Sequence, residues 1–164
     1  MSHACGHDHP AHGLAGAALA AELAAADVRC ERAGQRLTAP RRRVLEQLLE
    51  AGQPVKAYDL IAAFGAGGPP AKPPTVYRAL EFLSKQGFAH RIESLNAYVA
   101  CRHSSSAEGE ENHAAAFLIC DCCGATREID PAVLGSIERA ADTAGFTVQA
   151  VTIEAHGLCA DCRG

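Results

Sequence analysis

Apolar positions recur at helical spacing through the first half of the chain. Leu14 to Arg32 is Ala-rich and places Leu19, Leu23 and Ala26 on one face, which predicts a first helix. Thr38 has the chemistry of an N-cap and stands before Val44, Leu45, Leu48 and Leu49, a second helix that ends near Gly52. Leu60, Ile61 and Phe64 mark a short third helix over Tyr58 to Phe64. The run Gly65 to Pro74 must be a loop. Thr75 is read as the cap of a fourth helix lined by Val76, Leu80 and Leu83 and stopped at Gly87. The period then changes from helical to alternating. Phe88 to Ile92 and Ala97 to Cys101 read as two strands around a turn at Ser94 to Asn96. The second to fourth helices, with a loop before the last of them and a closing hairpin, make a winged helix-turn-helix, in which the fourth helix has the place of a major-groove reader.

After the polar, acidic stretch His103 to Asn112, the pattern becomes strand, strand, helix, strand. Ala115 to Cys120 and Ala125 to Ile129 are the first two strands. Asp130 caps a helix opened by Pro131 and lined by Leu134, Ile137 and Ala141, and Phe146 to Ile153 is the third strand. A unit this small buries little apolar surface alone, so a dimer is expected. The class is therefore α+β. Residues 1–13 read as a disordered His-rich tail, 14–101 as the winged-helix domain, 102–112 as a hinge and 113–164 as an α/β dimerisation domain.

Charge sharpens that division. The net charge of -4 is made of -3 over residues 1–28, +5 over 29–95 and -6 over 96–164. A basic middle suits a polyanion, and Arg41, Arg42, Arg43, Lys56 and Lys72 are candidates for phosphate contacts or for an ordinary solvated face. The 13 residues from His9 to Ala21 carry no Asp, Glu, Lys or Arg, too few to span a bilayer, and no basic leader precedes them. A cytoplasmic location is expected. There, eight Cys beside eight His point to metal ligands or redox groups more than to disulfides.

Cys120 to Cys123 and Cys159 to Cys162 are two C-x2-C pairs, the layout of a tetrahedral zinc–thiolate site. A thioredoxin-type redox pair works alone, so the second pair argues against that rival. Cys122 is taken as a bystander, because only Cys123 reproduces the spacing of the second pair. His90, Cys101, His113 and Glu128 are further donors, each with an ordinary reading as a surface or packing residue. The first residues carry His3, Cys5, His7, His9 and His12, which either collect metal or have no role. No Ser/His/Asp arrangement, phosphate-binding loop or hydrolytic carboxylate pair stands out, so neither an enzyme nor a small-molecule substrate is expected.

Lys72 to Ser94 (KPPTVYRALEFLSKQGFAHRIES) followed by Tyr98 to Cys101 (YVAC) resembles the ferric uptake regulator family, closest to its zinc-sensing branch. RLTAPRRRVLEQL, AYDL, FLICDCCG and EAHGLCADC extend the likeness over about Leu14 to Cys162. The resemblance implies a winged helix joined to an α/β dimerisation domain. It implies a metal-loaded homodimeric repressor acting at AT-rich palindromes in double-stranded DNA. It implies two Zn(2+) per chain: one structural, on Cys120, Cys123, Cys159 and Cys162, and one regulatory, on His90, Cys101, His113 and Glu128. Tyr58 and Arg78 match the family's DNA-contacting pair, and Thr75, Tyr77, Arg41 and Lys72 join them as DNA-binding candidates. Pro40 departs from the usual Gln of the family but is tolerated in a first helical turn. The sulfur, two nitrogens and oxygen of the regulatory set suit zinc, whereas an O/N set would suit iron or manganese. A repressor answering to another metal, and a zinc storage or delivery protein, are the alternatives.

Overall fold

A computed structural model describes residues 13–65, 72–101, 115–129, 134–148 and 151–163. The chain divides into two compact units at Ser106 and Ala107. Among the described residues no helix is long and apolar enough to cross a membrane.

The N-terminal unit is built from α1 (Gly16–Arg32), α2 (Ala39–Ala51), β1 (Val55–Lys56), α3 (Ala57–Gly65), α4 (Pro73–Lys85), β2 (Ala89–Ile92) and β3 (Ala97–Ala100). Helix α1 buries Leu19, Leu23, Ala26 and Cys30, one face of a 3.6-residue period. It closes with Gly34 at φ +65°, which lets the Gln35 N–H reach back to the Cys30 carbonyl at 2.8 Å. Thr38 occupies the N-cap position of α2 without a side-chain capping bond, and left-handed Gly52 ends that helix as expected. Val44, Leu48, Leu60, Val76, Leu80 and Leu83 are fully enclosed where α2, α3 and α4 meet. The Asp27 carboxylate accepts a hydrogen bond from Arg42, joining α1 to α2.

Helix α4 departs from expectation at its start. Lys72 is its N-cap, Pro73 and Pro74 form the first turn, and the Thr75 N–H already donates to the Lys72 carbonyl at 2.8 Å. Thr75 is thus inside the helix and is not its cap. Proline has no N–H to satisfy in a first turn, so the pair begins the helix where a loop was expected. The rest of that loop, residues 66–71, lies outside the described residues.

Strands β2 and β3 pair antiparallel, with His90 opposite Val99 and Arg91 opposite Tyr98. Asn96 takes the left-handed turn position at φ 46°, and its side chain accepts from Arg91 at 3.2 Å. β1, two residues long, adds to the other edge of β3 to give the order β1-β3-β2. Two residues carry no readable alternation, so this strand has no signature in the pattern.

The C-terminal unit contains β4 (Ala115–Cys120), β5 (Thr126–Ile129), α5 (Leu134–Thr143), β6 (Thr152–Gly157) and a short 3-10 turn at Ala160–Cys162. The sheet order is β5-β4-β6, antiparallel between β4 and β5 and parallel between β4 and β6. The last strand begins six residues later than the apolar run from Phe146 suggests. Phe146 to Val148 have no regular structure and Phe146 is 72% exposed; among the described residues, pairing starts where Thr152 meets Ala115. A run with strand propensity becomes a strand only where a partner takes its hydrogen bonds. Asp130, Pro131 and the hinge residues 102–112 lie outside the described residues. Among those described in this unit, the buried apolar side chains all sit on β4: Ala116, Phe117, Ile119 and Cys120.

Candidate metal centres and nucleic-acid interface

Parallel pairing of β4 and β6 sets Cys120 opposite Gly157, so both strands end side by side. The turn after β4 carries Cys123, and the segment after β6 carries Cys159 and Cys162. Topology therefore brings together two sequence pairs that lie 36 residues apart. All four sulfurs lie within 4.8 Å of one another, and Cys123 Sγ and Cys159 Sγ are 3.7 Å apart. A tetrahedron of zinc–sulfur bonds of ~2.3 Å has edges of roughly 3.8 Å, so the donors fit zinc in both chemistry and spacing. Cys122 is not one of the four.

The thiols share negative charge unequally. Backbone N–H groups of Cys123 and then of Cys159 hold the Cys120 thiol down to about 6, the Cys159 N–H lying 3.3 Å from its sulfur. Cys162 is pushed well above the ordinary thiol range, first by desolvation and then by its hydrogen bonds to Cys159, Cys123 and Cys120. One thiolate forms readily, while the Cys123 and Cys162 thiols are pushed up from the ordinary range. Metal binding must therefore displace protons. Because the Cys120 pKa is lowered, its sulfur gains a proton only as pH falls through about 6. The expected result is that the protons released per zinc rise by about one below that pH. Chelator-competition titrations on either side of pH 6 read this as a steeper fall of zinc affinity; an unchanged slope would contradict it.

Next to the thiolates, His156 Nδ1 and Asp121 Oδ1 are 2.8 Å apart, and the Asp121 N–H donates to the Gly157 carbonyl at 2.8 Å. Asp121 escaped the reading of the sequence. It meets a histidine 35 residues away only because β4 and β6 are parallel neighbours.

The second donor set lies on separate elements. His90 lies on β2 and Cys101 follows β3, where the Cys101 N–H donates to the Phe88 carbonyl at 2.9 Å. Both are half-buried, and the wing hairpin holds an imidazole nitrogen and the thiol within 4.8 Å, a separation one ion closes by small side-chain movement. Glu128 is a half-buried residue of β5 in the C-terminal unit. His113 lies outside the described residues.

Helices α3 and α4 form the turn pair. Tyr58, second in α3, is 77% exposed, and Tyr77 on α4 is 52% exposed. Arg78 follows Tyr77 on the outer face, while Val76, Ala79 and Leu80 face the core. Thr75 is half-buried in the first turn, and Lys72 is exposed at the N-terminus, where helix dipole and lysine charge both favour phosphate. The basic run of α2 is engaged within the chain. The Arg41 guanidinium lies 3.5 Å from the centroid of the Phe82 ring and donates to the Arg36 carbonyl at 2.7 Å. Arg42 pairs with Asp27, and Arg43 with Glu46 at 2.7 Å. Of these partnerships sequence spacing shows only Arg43–Glu46, an i,i+3 pair on one helix.

Comparison with known proteins sets this geometry in context. A sequence model of the ferric uptake regulator family matches residues 32–156. The zinc uptake regulation protein of Escherichia coli (strain K12) is 42% identical over 141 residues, 85% of this chain and 80% of that protein. A solved zinc uptake regulator complexed with zinc and DNA is 40% identical with a TM-score of 0.81, covering 90% of this chain and 97% of that one. The crystal structure of holo XcZur is 45% identical with a TM-score of 0.76, covering 87% and 97%.

Proposed function

Since the chain belongs to the ferric uptake regulator family, we propose that it is a zinc-responsive transcriptional repressor that binds palindromic operators of zinc-uptake genes as a homodimer. The observation that carries this reading is identity of 40–45% over about nine tenths of the chain to zinc uptake regulators, one of them solved with zinc and DNA. Two zinc ions per chain are assigned. Cys120, Cys123, Cys159 and Cys162 hold the structural ion. His90, Cys101, His113 and Glu128 hold the regulatory one, and the proximity of His90 and Cys101 within the wing supports this set. A cytoplasmic location keeps these thiols reduced.

The mechanism follows from where the regulatory donors sit in the chain. His90 belongs to the wing, Cys101 to its exit, and His113 and Glu128 to the C-terminal unit. An ion that needs donors from both units restricts the angle between them. In a homodimer that angle sets the distance between the two copies of α4, which must match half-sites one helical turn apart, ~34–36 Å. Without the ion only a fraction of dimers presents that spacing, and apparent affinity falls by that fraction. The exposed Leu118, Ile129, Phe146 and Leu158 of the C-terminal unit supply apolar surface for the dimer. Arg78 can donate two bonds to guanine, while Tyr58, Tyr77, Thr75, Lys72 and Arg41 contact backbone or base edges around it. Cys101 sets selectivity, because one thiolate moves the set toward zinc and away from iron or manganese.

Transcription in vitro from a promoter bearing such a palindrome tests the function. The zinc-loaded chain is expected to lower transcript and the mildly chelated chain to leave it unchanged. Arg78→Ala is expected to weaken discrimination between operator and mutated operator by ~1–3 kcal/mol. Transcript that is indifferent to both protein and zinc would contradict the proposal.

A further inference from the structure

The four sulfurs come in two halves, Cys120 and Cys123 at the end of β4 and Cys159 and Cys162 after β6. An ion held between them meets an incoming ligand when one half lifts away from the other. Backbone bonds oppose that movement: the Asp121 N–H donates to the Gly157 carbonyl at 2.8 Å, and the Cys159 N–H lies 3.3 Å from the Cys120 sulfur. A side-chain bond spans the same gap, between His156 Nδ1 and Asp121 Oδ1 at 2.8 Å. Asp121 directly follows one ligand, Cys120, and His156 stands shortly before another, Cys159. Strand pairing ends at Cys120 and Gly157, so this bond lies where the ladder stops and the ligand-bearing segments begin. An ionised carboxylate only accepts, so Nδ1 is the donor. The other ring nitrogen is 3.9 Å from Glu154 Oε2, beyond hydrogen-bond range, so of these two carboxylates it is Asp121 that fixes the ring.

We propose that the Asp121–His156 pair is a clasp that slows release of the structural zinc, so that this ion stays while the regulatory one exchanges. This rests on the reading of the four thiolates as a zinc site. Four sulfurs already complete a tetrahedron, so neither Asp121 nor His156 is needed as a ligand. They are positioning residues, acting through the segments that carry the sulfurs. With the clasp closed, the turn after β4 and the segment after β6 move as one body. With it open, thiolates from one half can leave the ion while the other half still holds it, and an incoming ligand takes the vacated positions. Partners around a metal's own ligands commonly tune how firmly it is held. Both side chains are partly exposed, Asp121 at 58% and His156 at 40%, so water competes for the bond and the effect on rate is modest, about fivefold.

The test uses the full-length dimer loaded with zinc. A mild chelator first removes the regulatory ion, and excess of a strong chromogenic chelator then draws out the remaining zinc at one fixed pH and salt concentration. The rate of this slow release is compared for the natural sequence, Asp121→Ala, His156→Ala, the double variant and His156→Asn, whose amide nitrogen can take the place of Nδ1. Each alanine variant is expected to release zinc about fivefold faster. The double variant is expected to be no faster than either, because the two residues share one bond, and His156→Asn to stay close to the natural rate. Unchanged rates in the alanine variants, a double variant whose gain is the product of the two, or no rescue by asparagine would each overturn the clasp. Slow zinc that persists in Cys159→Ser, or none in the natural sequence, would overturn the four-thiolate reading and the clasp with it, an outcome distinct from unchanged rates.

Discussion

Cys101→Ser is expected to leave a folded dimer that keeps its four-thiolate zinc but no longer gains operator affinity when zinc is added. Cys101 is half-buried at the exit of the wing, its N–H bound to the Phe88 carbonyl, and serine preserves that backbone bond and nearly the same volume. What serine removes is the one soft donor of the proposed regulatory set. Losing an outer-shell partner already costs ~10–100-fold in metal affinity, so loss of a direct ligand should exceed that range. The operator then sees mainly dimers whose α4 helices are unrestrained, and zinc added at levels that saturate the natural protein does little. Fluorescence anisotropy on labelled operator, with zinc counted in the same samples, checks this. Zinc-dependent binding that survives the substitution would remove Cys101 from the switch.

The second large effect falls on the proposed structural site. Cys159→Ser is expected to lose the structural zinc, the cooperative unfolding of the C-terminal unit, dimerisation and, with them, DNA binding. The reason is how little else holds that unit. Its buried apolar side chains among the described residues are confined to β4, while Leu118, Ile129, Phe146 and Leu158 are exposed. The ends of β4 and β6 are joined by the paired sulfurs, including Cys123 and Cys159 at 3.7 Å. Apparent zinc-binding energies of ~10–16 kcal/mol in small thiolate domains are folding energies, and a domain of this size has no comparable reserve. Sedimentation and thermal melting, with zinc content measured alongside, decide the matter. A dimer that melts at the natural temperature without zinc would show the site to be dispensable.

Where the chain obeys a strict period, its structure was legible. Leu19, Leu23 and Ala26 in α1, and Val76, Leu80 and Leu83 in α4, lie on the buried faces that their spacing implies. Gly52 and Gly87 end helices because both adopt positive φ. Errors came where local chemistry competes with partners distant in sequence. Thr75 looks like a cap, yet two prolines ahead of it start the helix. Phe146 to Val148 look like part of a strand, yet among the described residues pairing with β4 begins at Thr152. The four thiolates were legible because each C-x2-C is local, and parallel pairing needed only to bring the two halves together. His90 and Cys101 carry no such spacing signal. They meet across a hairpin, and only the resemblance to a family singled them out before the geometry of the wing placed them within 4.8 Å. Arg41 shows the opposite limit: composition offers it to phosphate, and nothing in its spacing shows that the fold also sets its guanidinium over Phe82.

The central claim is that zinc, and not another metal, turns on operator binding. The most direct measurement is operator affinity at one fixed salt concentration, after mild chelation that spares the structural ion, in separate titrations with Zn(II), Fe(II) and Mn(II). The account predicts tight, saturable binding with Zn(II) alone. Equal binding with all three metals, or binding that needs none, would contradict it.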